Sequence, residues 1–267
     1  MSEMASLPPI PDAAWPPLPP PPPWPDPRRR RGKARIAFVL AALLAVSGAG
    51  VALVAAESPR GEFRFLGRTA AGDPERWNPC EPIHYVANLD SAPSGGLTDL
   101  QDAVQRISDA TGIEFVYDGQ SHLTVEDQFE WLVPSVSGIR WLPMLVIWLP
   151  RGEFERYESR PDVLAFAYPE PGGGDLVGQY VSGIIVVKSQ PNPQPAFLSA
   201  LSPELVLMHE LGHIVGLDHV DDPNEVMFES DTVFGNRVDD WGPGDLEGLH
   251  DLGRSAGCLA AISTAPL

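Results

Sequence analysis

The feature that most constrains this chain is the run His209-Glu210-Leu211-Gly212-His213-Ile214-Val215-Gly216-Leu217-Asp218-His219. On a helix, His209 and His213 lie four residues apart and project from one face, so their imidazoles can share a metal ion. Glu210 sits about 100° further round the helix. Its carboxylate is therefore expected beside the metal rather than on it, where it can take a proton from water. Gly216 can adopt the left-handed conformation that ends a helix and turns the chain back. That turn would bring His219 to a third coordination position. Three neutral imidazoles with a fourth position open are the donor set of one catalytic, rather than structural, zinc.

The rest of the chain divides by composition. Of its 36 acidic and 18 basic residues, three acidic and six basic precede Glu57, leaving 33 and 12 from Glu57 onward. A domain this acidic lacks the basic face that binds nucleic acid through phosphates. Solubility accounts for the charge without a specific partner. Residues 1 to 35 read as a cytoplasmic tail, proline-rich around Pro19 to Pro23 and then basic from Arg28 to Arg35. Such prolines favour an extended, solvated polyproline II spacer. Ile36 to Ala56 is uncharged over 21 residues, about 32 Å as a helix, which matches the hydrocarbon core of a bilayer. The basic flank predicts a single-pass anchor with its N-terminus cytoplasmic and everything after Ala56 outside the cell. A cleaved signal peptide, giving a secreted protein, is the competing reading. Residues 57 to 78 read as a polar stalk, and 79 to 267 as the folded domain.

Within that domain, strands are expected at Pro82–Leu89, Ile113–Tyr117, Met144–Leu149, Val163–Tyr168 and Ser182–Lys188, each rich in β-branched or aromatic residues. Leu97, Leu100, Ala103, Val104, Ile107 and Ala110 fall at helical spacing, with Gly112 placed to stop the helix. A second helix is expected to start at Ser202 as N-cap with Pro203 at its first position and to end at Gly216. A last one should run from Pro243 to Leu252 with Leu246, Leu249 and Leu252 facing inward. A loop is expected from Pro169 to Asp175, and Asp118 to Pro143 carries no assignable pattern. The order implies an α+β domain, a mixed sheet with helices packed on it. Cys80 and Cys258 are the only cysteines. In an oxidising compartment they read as one disulfide closing the ends of the domain; the alternative is that Cys80 blocks the zinc as a thiolate. His84, His122 and His250 lack partners at ligand spacing and read as structural or surface residues.

The histidine run resembles that of the metzincin metallopeptidases and, within them, the matrixin-like branch. Asn224-Glu225-Val226-Met227-Phe228 resembles the methionine turn that follows the third histidine in that clan, with Met227 as an apolar floor under the ligands. Leu164-Ala165-Phe166-Ala167-Tyr168-Pro169 resembles the edge strand that pairs with extended substrate, centred on Ala165, Phe166 and Ala167. Trp241 to Leu249 resembles the start of the C-terminal helix. The resemblance implies a twisted, mostly parallel five-stranded sheet, an active-site helix and a C-terminal helix. It also implies zinc-dependent cleavage of a protein or peptide substrate with Glu210 as general base. Animal matrixins hold a second zinc through a histidine where this chain has Phe166, so only one zinc is expected. Calcium and oligomeric state are not legible. The rival readings are a catalytically silent zinc-containing binding module at the cell surface and a zinc hydrolase of a non-peptide bond.

Overall fold

A computed structural model describes residues 61–129, 132–135, 138–189, 202–229 and 238–259. Residues 1 to 35, read above as a tail, and the apolar run 36 to 56 lie outside the described residues. No helix among the described residues is long and apolar enough to cross a membrane.

The elements run β1 (Arg64–Phe65), β2 (Ile83–Asn88), α1 (Gly96–Thr111), β3 (Phe115–Gln120), α2 (Val125–Gln128), β4 (Leu132–Ser135), β5 (Gly138–Trp141) and β6 (Met144–Leu149). Then follow α3 (Arg151–Phe154), β7 (Ala165–Pro171), β8 (Tyr180–Lys188), α4 (Pro203–Val215), β9 (Leu217–Asp218) and α5 (Pro243–Leu252). Five strands form one sheet in the order β3-β2-β6-β8-β7. Every neighbouring pair is parallel except β7 with β8.

Parallel strands are covered on both faces, which is why β6 and β8 read as near-continuous apolar runs. Alternation still sorts their side chains. Met144, Val146 and Trp148 join Ile83, Tyr85 and Ile185 in the core shared with α1, α4 and α5. Leu145, Ile147, Leu149, Ile184 and Val186 face the other way and pack against Val125 and Phe154. In α1, Leu100, Ala103, Val104 and Ile107 are the buried stripe, as their spacing requires.

Four expectations need correction. The residues from 61 to 78 are not a stalk. β1 pairs antiparallel with β9, and the Trp77 indole donates to Ile214 O at the end of α4, 2.7 Å away. The edge strand does not give way to a loop at Pro169 but continues to Pro171, with Pro169 opposite Gly183. Proline is tolerated there because an edge strand needs hydrogen bonds on one side only. Leu246 is 46% exposed. The inward position in that turn belongs to Asp245, whose carboxylate takes three backbone N–H groups. Finally, the unassigned stretch 118 to 143 holds the end of β3, the single-turn α2 and the β4–β5 hairpin. Elements this short have no periodicity to read; α2 is held by the buried Gln128 amide, which donates to Pro143 O, Ser182 Oγ and Gly183 O.

Cys80 and Cys258 form a disulfide with Cα atoms 5.4 Å apart. It ties the approach to β2 to the chain beyond α5, beside Asn78, whose Oδ1 accepts from both Cys80 N and Leu259 N. With its sulfur bonded, Cys80 offers no thiolate to block a metal.

Candidate metal centre

α4 begins at Pro203 and is buried at every position from Leu205 to Val215. It is an interior helix, so polar residues on it are turned into the protein whichever way they point. Ser202 takes the N-cap position but makes no side-chain cap bond. Glu204 in the first turn pairs instead with Arg106 on α1, 2.6 Å away. The helix stops at Gly216, where φ is 120°, a conformation that strains any residue with a Cβ. Chain reversal there leads straight into β9 and then His219.

The three histidines converge. His209 Nε2 and His219 Nε2 are 3.0 Å apart, and His213 Nε2 lies 3.1 Å from each. The Nδ1 atoms face outward to fixed acceptors, His209 to Val226 O at 2.7 Å and His213 to Leu217 O at 2.8 Å. A ring that donates from Nδ1 keeps its proton there and presents a lone pair at Nε2. Burial, then the neighbouring His219, holds the His209 imidazole down at about 3. Burial, then the other two imidazoles, holds His213 well below its ordinary range. The His209 and His213 rings are therefore neutral, as metal ligands must be. The Nε2 lone pairs of His209 and His213 are aimed at each other and at His219 Nε2, an arrangement that a cation among them would stabilise. A tetrahedral ion with N ligands at 2.0–2.1 Å places them about 3.3 Å apart, close to the spacing found. The residues fit one zinc.

Around this cluster the supporting contacts are backbone and sulfur. Glu210 is 2% exposed and next along the helix from His209. Met227 is buried under the helix, and a Cβ placed on Gly212 would lie 2.3 Å from its Sδ. The chain after His219 is stitched to the methionine turn by Val220 N to Met227 O at 2.9 Å and Glu229 N to Val220 O at 3.2 Å.

Two functional residues escaped sequence reasoning. Asp245 accepts from Val226 N at 2.5 Å, Gly242 N at 3.0 Å and Met227 N at 3.3 Å. Glu225 returns the bond, accepting from Gly244 N and Asp245 N, both at 2.9 Å. This exchange locks the methionine turn to the start of α5. An acid three residues after Gly242 was the available signal, since that is where a capping carboxylate reaches back.

β7 lies at the end of the sheet order, so Ala165, Phe166 and Ala167 sit on an edge. Phe166 packs on the buried ring of Phe154, 5.6 Å between centroids. The remaining histidines stand apart. His84 contacts Asp118 at 2.9 Å, His122 contacts Asp90 at 3.4 Å and His250 contacts Asp251 at 3.3 Å. Among the described residues, His209, His213 and His219 are the group able to hold a metal.

Comparison with known proteins places the site in context. The family profile for matrixin peptidases matches residues 105–252, just over half of the chain and the whole of the histidine run. No curated protein matches it. Among solved structures, archaemetzincin from Methanopyrus kandleri is 17% identical, covering 63% of this chain and 92% of its own, with a TM-score of 0.39.

Proposed function

The chain belongs to the matrixin family, and from that premise we propose that it is a zinc-dependent endopeptidase cleaving extracellular or envelope proteins. The observation that carries the proposal is the convergence of three imidazole Nε2 atoms within 3.1 Å of one another, with the buried Glu210 carboxyl next along the helix. His209, His213 and His219 would hold the metal. Bound there, zinc supplies a Lewis acid that polarises the scissile carbonyl and makes the attacking water more acidic.

Everything else falls to the chain's own groups. Glu210 takes the proton from the attacking water and delivers it to the leaving amine nitrogen, so one carboxylate serves both halves of the hydrolysis. Met227 fills the space beneath the ligands and fixes their level. The side of β7 turned away from β8, where no strand lies among the described residues, would offer backbone N–H and C=O groups at Ala165, Phe166 and Ala167 to an extended peptide, adding it as a further strand. The apolar run 36 to 56 and the basic residues before it support a membrane-anchored, exported domain. So does the Cys80–Cys258 bond, which belongs to an oxidising compartment.

Two substitutions test the assignment. His213→Ala removes a ligand and should lose both zinc and activity. Glu210→Gln keeps the size but not the base, so zinc should remain while turnover falls by roughly 10² to 10⁴. Metal analysis and a quenched-peptide assay measure both. Full activity in Glu210→Gln would refute the base. Wild-type protein that holds zinc yet cleaves nothing in a broad peptide library would favour a binding module.

A further inference from the structure

The chain just upstream of the expected domain boundary reaches the metal centre through β9. Arg64 stands opposite Asp218 and Phe65 opposite Leu217, and Leu66 N donates to Gly216 O at 2.9 Å. The same short stretch makes two further contacts with the residues after His219. Arg64 reaches Asp221 Oδ2 at 3.2 Å, and Glu62 Oε2 accepts from Asp221 N at 3.3 Å. Glu62 and Arg64 are themselves paired. Phe65 is anchored from its other side by the edge of Phe63, 5.4 Å between centroids, and by the Arg68 guanidinium over its ring.

β9 is where this matters, because it serves two ligands at once. Its Leu217 carbonyl takes the His213 Nδ1 proton at 2.8 Å and so sets the tautomer and ring direction. His219 follows directly after it, with its backbone N–H held by Asp218 Oδ1 at 2.8 Å. A two-residue strand has little conformational stability of its own. Gly216 before it adds freedom rather than removing it. Without a partner, the backbone from 216 to 218 would sample orientations that misdirect both rings.

We propose that residues 62 to 66 are a positioning buttress for the metal centre, holding β9 so that His213 and His219 face His209. The proposal rests on the zinc-binding reading given above. Its role is positional: the segment's contacts are with the backbone and side chains of residues 216 to 221, so it acts through the Leu217 carbonyl and the His219 backbone. A consequence is that processing upstream of residue 61 leaves the centre intact, whereas a cut inside 62 to 66 disarms it.

Full-length variants test the idea by zinc affinity, measured by chelator competition, and by the visible spectrum of the cobalt-substituted protein. Leu66→Pro deletes the N–H that meets Gly216 O. It should weaken zinc binding by roughly tenfold or more, the scale seen when a ligand's supporting contact is lost, and should alter the cobalt bands. The double variant Glu62→Ala with Arg64→Ala should weaken binding several-fold. Arg151→Ala, which breaks an exposed ion pair with Glu155 on α3, should change neither. If Leu66→Pro fails to fold, which circular dichroism would show, the double variant decides alone, since both its side chains are partly exposed and carry no core packing. Tight wild-type binding with the folded variants within about twofold of it would overturn the buttress alone. Wild-type protein that holds no zinc would overturn the site reading and the buttress together.

Discussion

A Cβ on Gly212 would meet the Met227 sulfur at 2.3 Å, well inside van der Waals contact, so a side chain here would force the buried Met227 side chain to move. Gly212→Ala should therefore destabilise the domain by roughly 1–3 kcal/mol through overpacking, read from denaturant midpoints. In a Met227→Ala background the sulfur is gone, and the same change should cost close to nothing. Equal costs in both backgrounds would show that something other than Met227 excludes the side chain. The meeting of the three histidines was legible residue by residue, because fixed spacing on one helix determines which groups share a face. The place of Gly212 was not, because its neighbour is 15 positions away in sequence and no period connects them. Asp245 and Glu225 were hidden for the same reason. The local bond from Asp245 to Gly242 N had a spacing to read, but their distant partners are backbone N–H groups, which every residue but proline carries and no sequence advertises.

At the scale of elements, legibility followed length and burial. The long amphipathic α1, the fully buried β6, and α4 and α5 with proline at their starts were readable within a residue or two. β1 was missed, since a strand of two residues carries no period to read and forms only because β9 is there to pair with it. The link between the methionine turn and α5 makes its own prediction. Burial pushes the Asp245 carboxyl up to about 7, outweighing the backbone N–H groups that favour its charged form, and nearby Glu225 adds to the rise. A carboxyl whose folded value is raised binds more protons folded than unfolded between about 4 and 7. Its contribution is fully present below the unfolded value and is lost as pH rises through the folded one. Asp245→Asn keeps the shape and cannot titrate. The stability advantage of wild type over this variant, from urea midpoints, should be larger at pH 5 than at pH 8. A gap that is constant or widens toward pH 8 would mean that Asp245 is an ordinary ionised cap.

For the whole molecule, one covalent bond closes the fold. Cys80 precedes β2, Cys258 follows α5, and 178 positions separate them, so the bond encloses the sheet, the metal centre and the methionine turn. The chain-entropy argument gives a loop of this size roughly 5 kcal/mol as an upper figure. Around the bond, Asn78 already holds Cys80 and Leu259 together, and Arg76 donates to Ala256 O at 3.2 Å. These contacts keep the two ends near each other after reduction, so the structure should loosen there first rather than collapse. The bond also links fold to compartment: its contribution is available outside the cytoplasm, where the anchor reading puts this domain, and is lost in a reducing cytosol. The pair Cys80→Ser and Cys258→Ser should lower the urea midpoint by an amount corresponding to several kcal/mol and bring on loss of zinc at lower urea than in wild type. Protein made in the cytoplasm should match the double variant until it is oxidised, and then match the exported protein. In intact cells, added protease should remove the domain and leave residues 1 to 35 protected. Peptide mapping without reductant should find the two cysteine peptides joined in exported material. Free thiols at both positions there would sever stability from compartment, and a tail open to external protease would reverse the orientation.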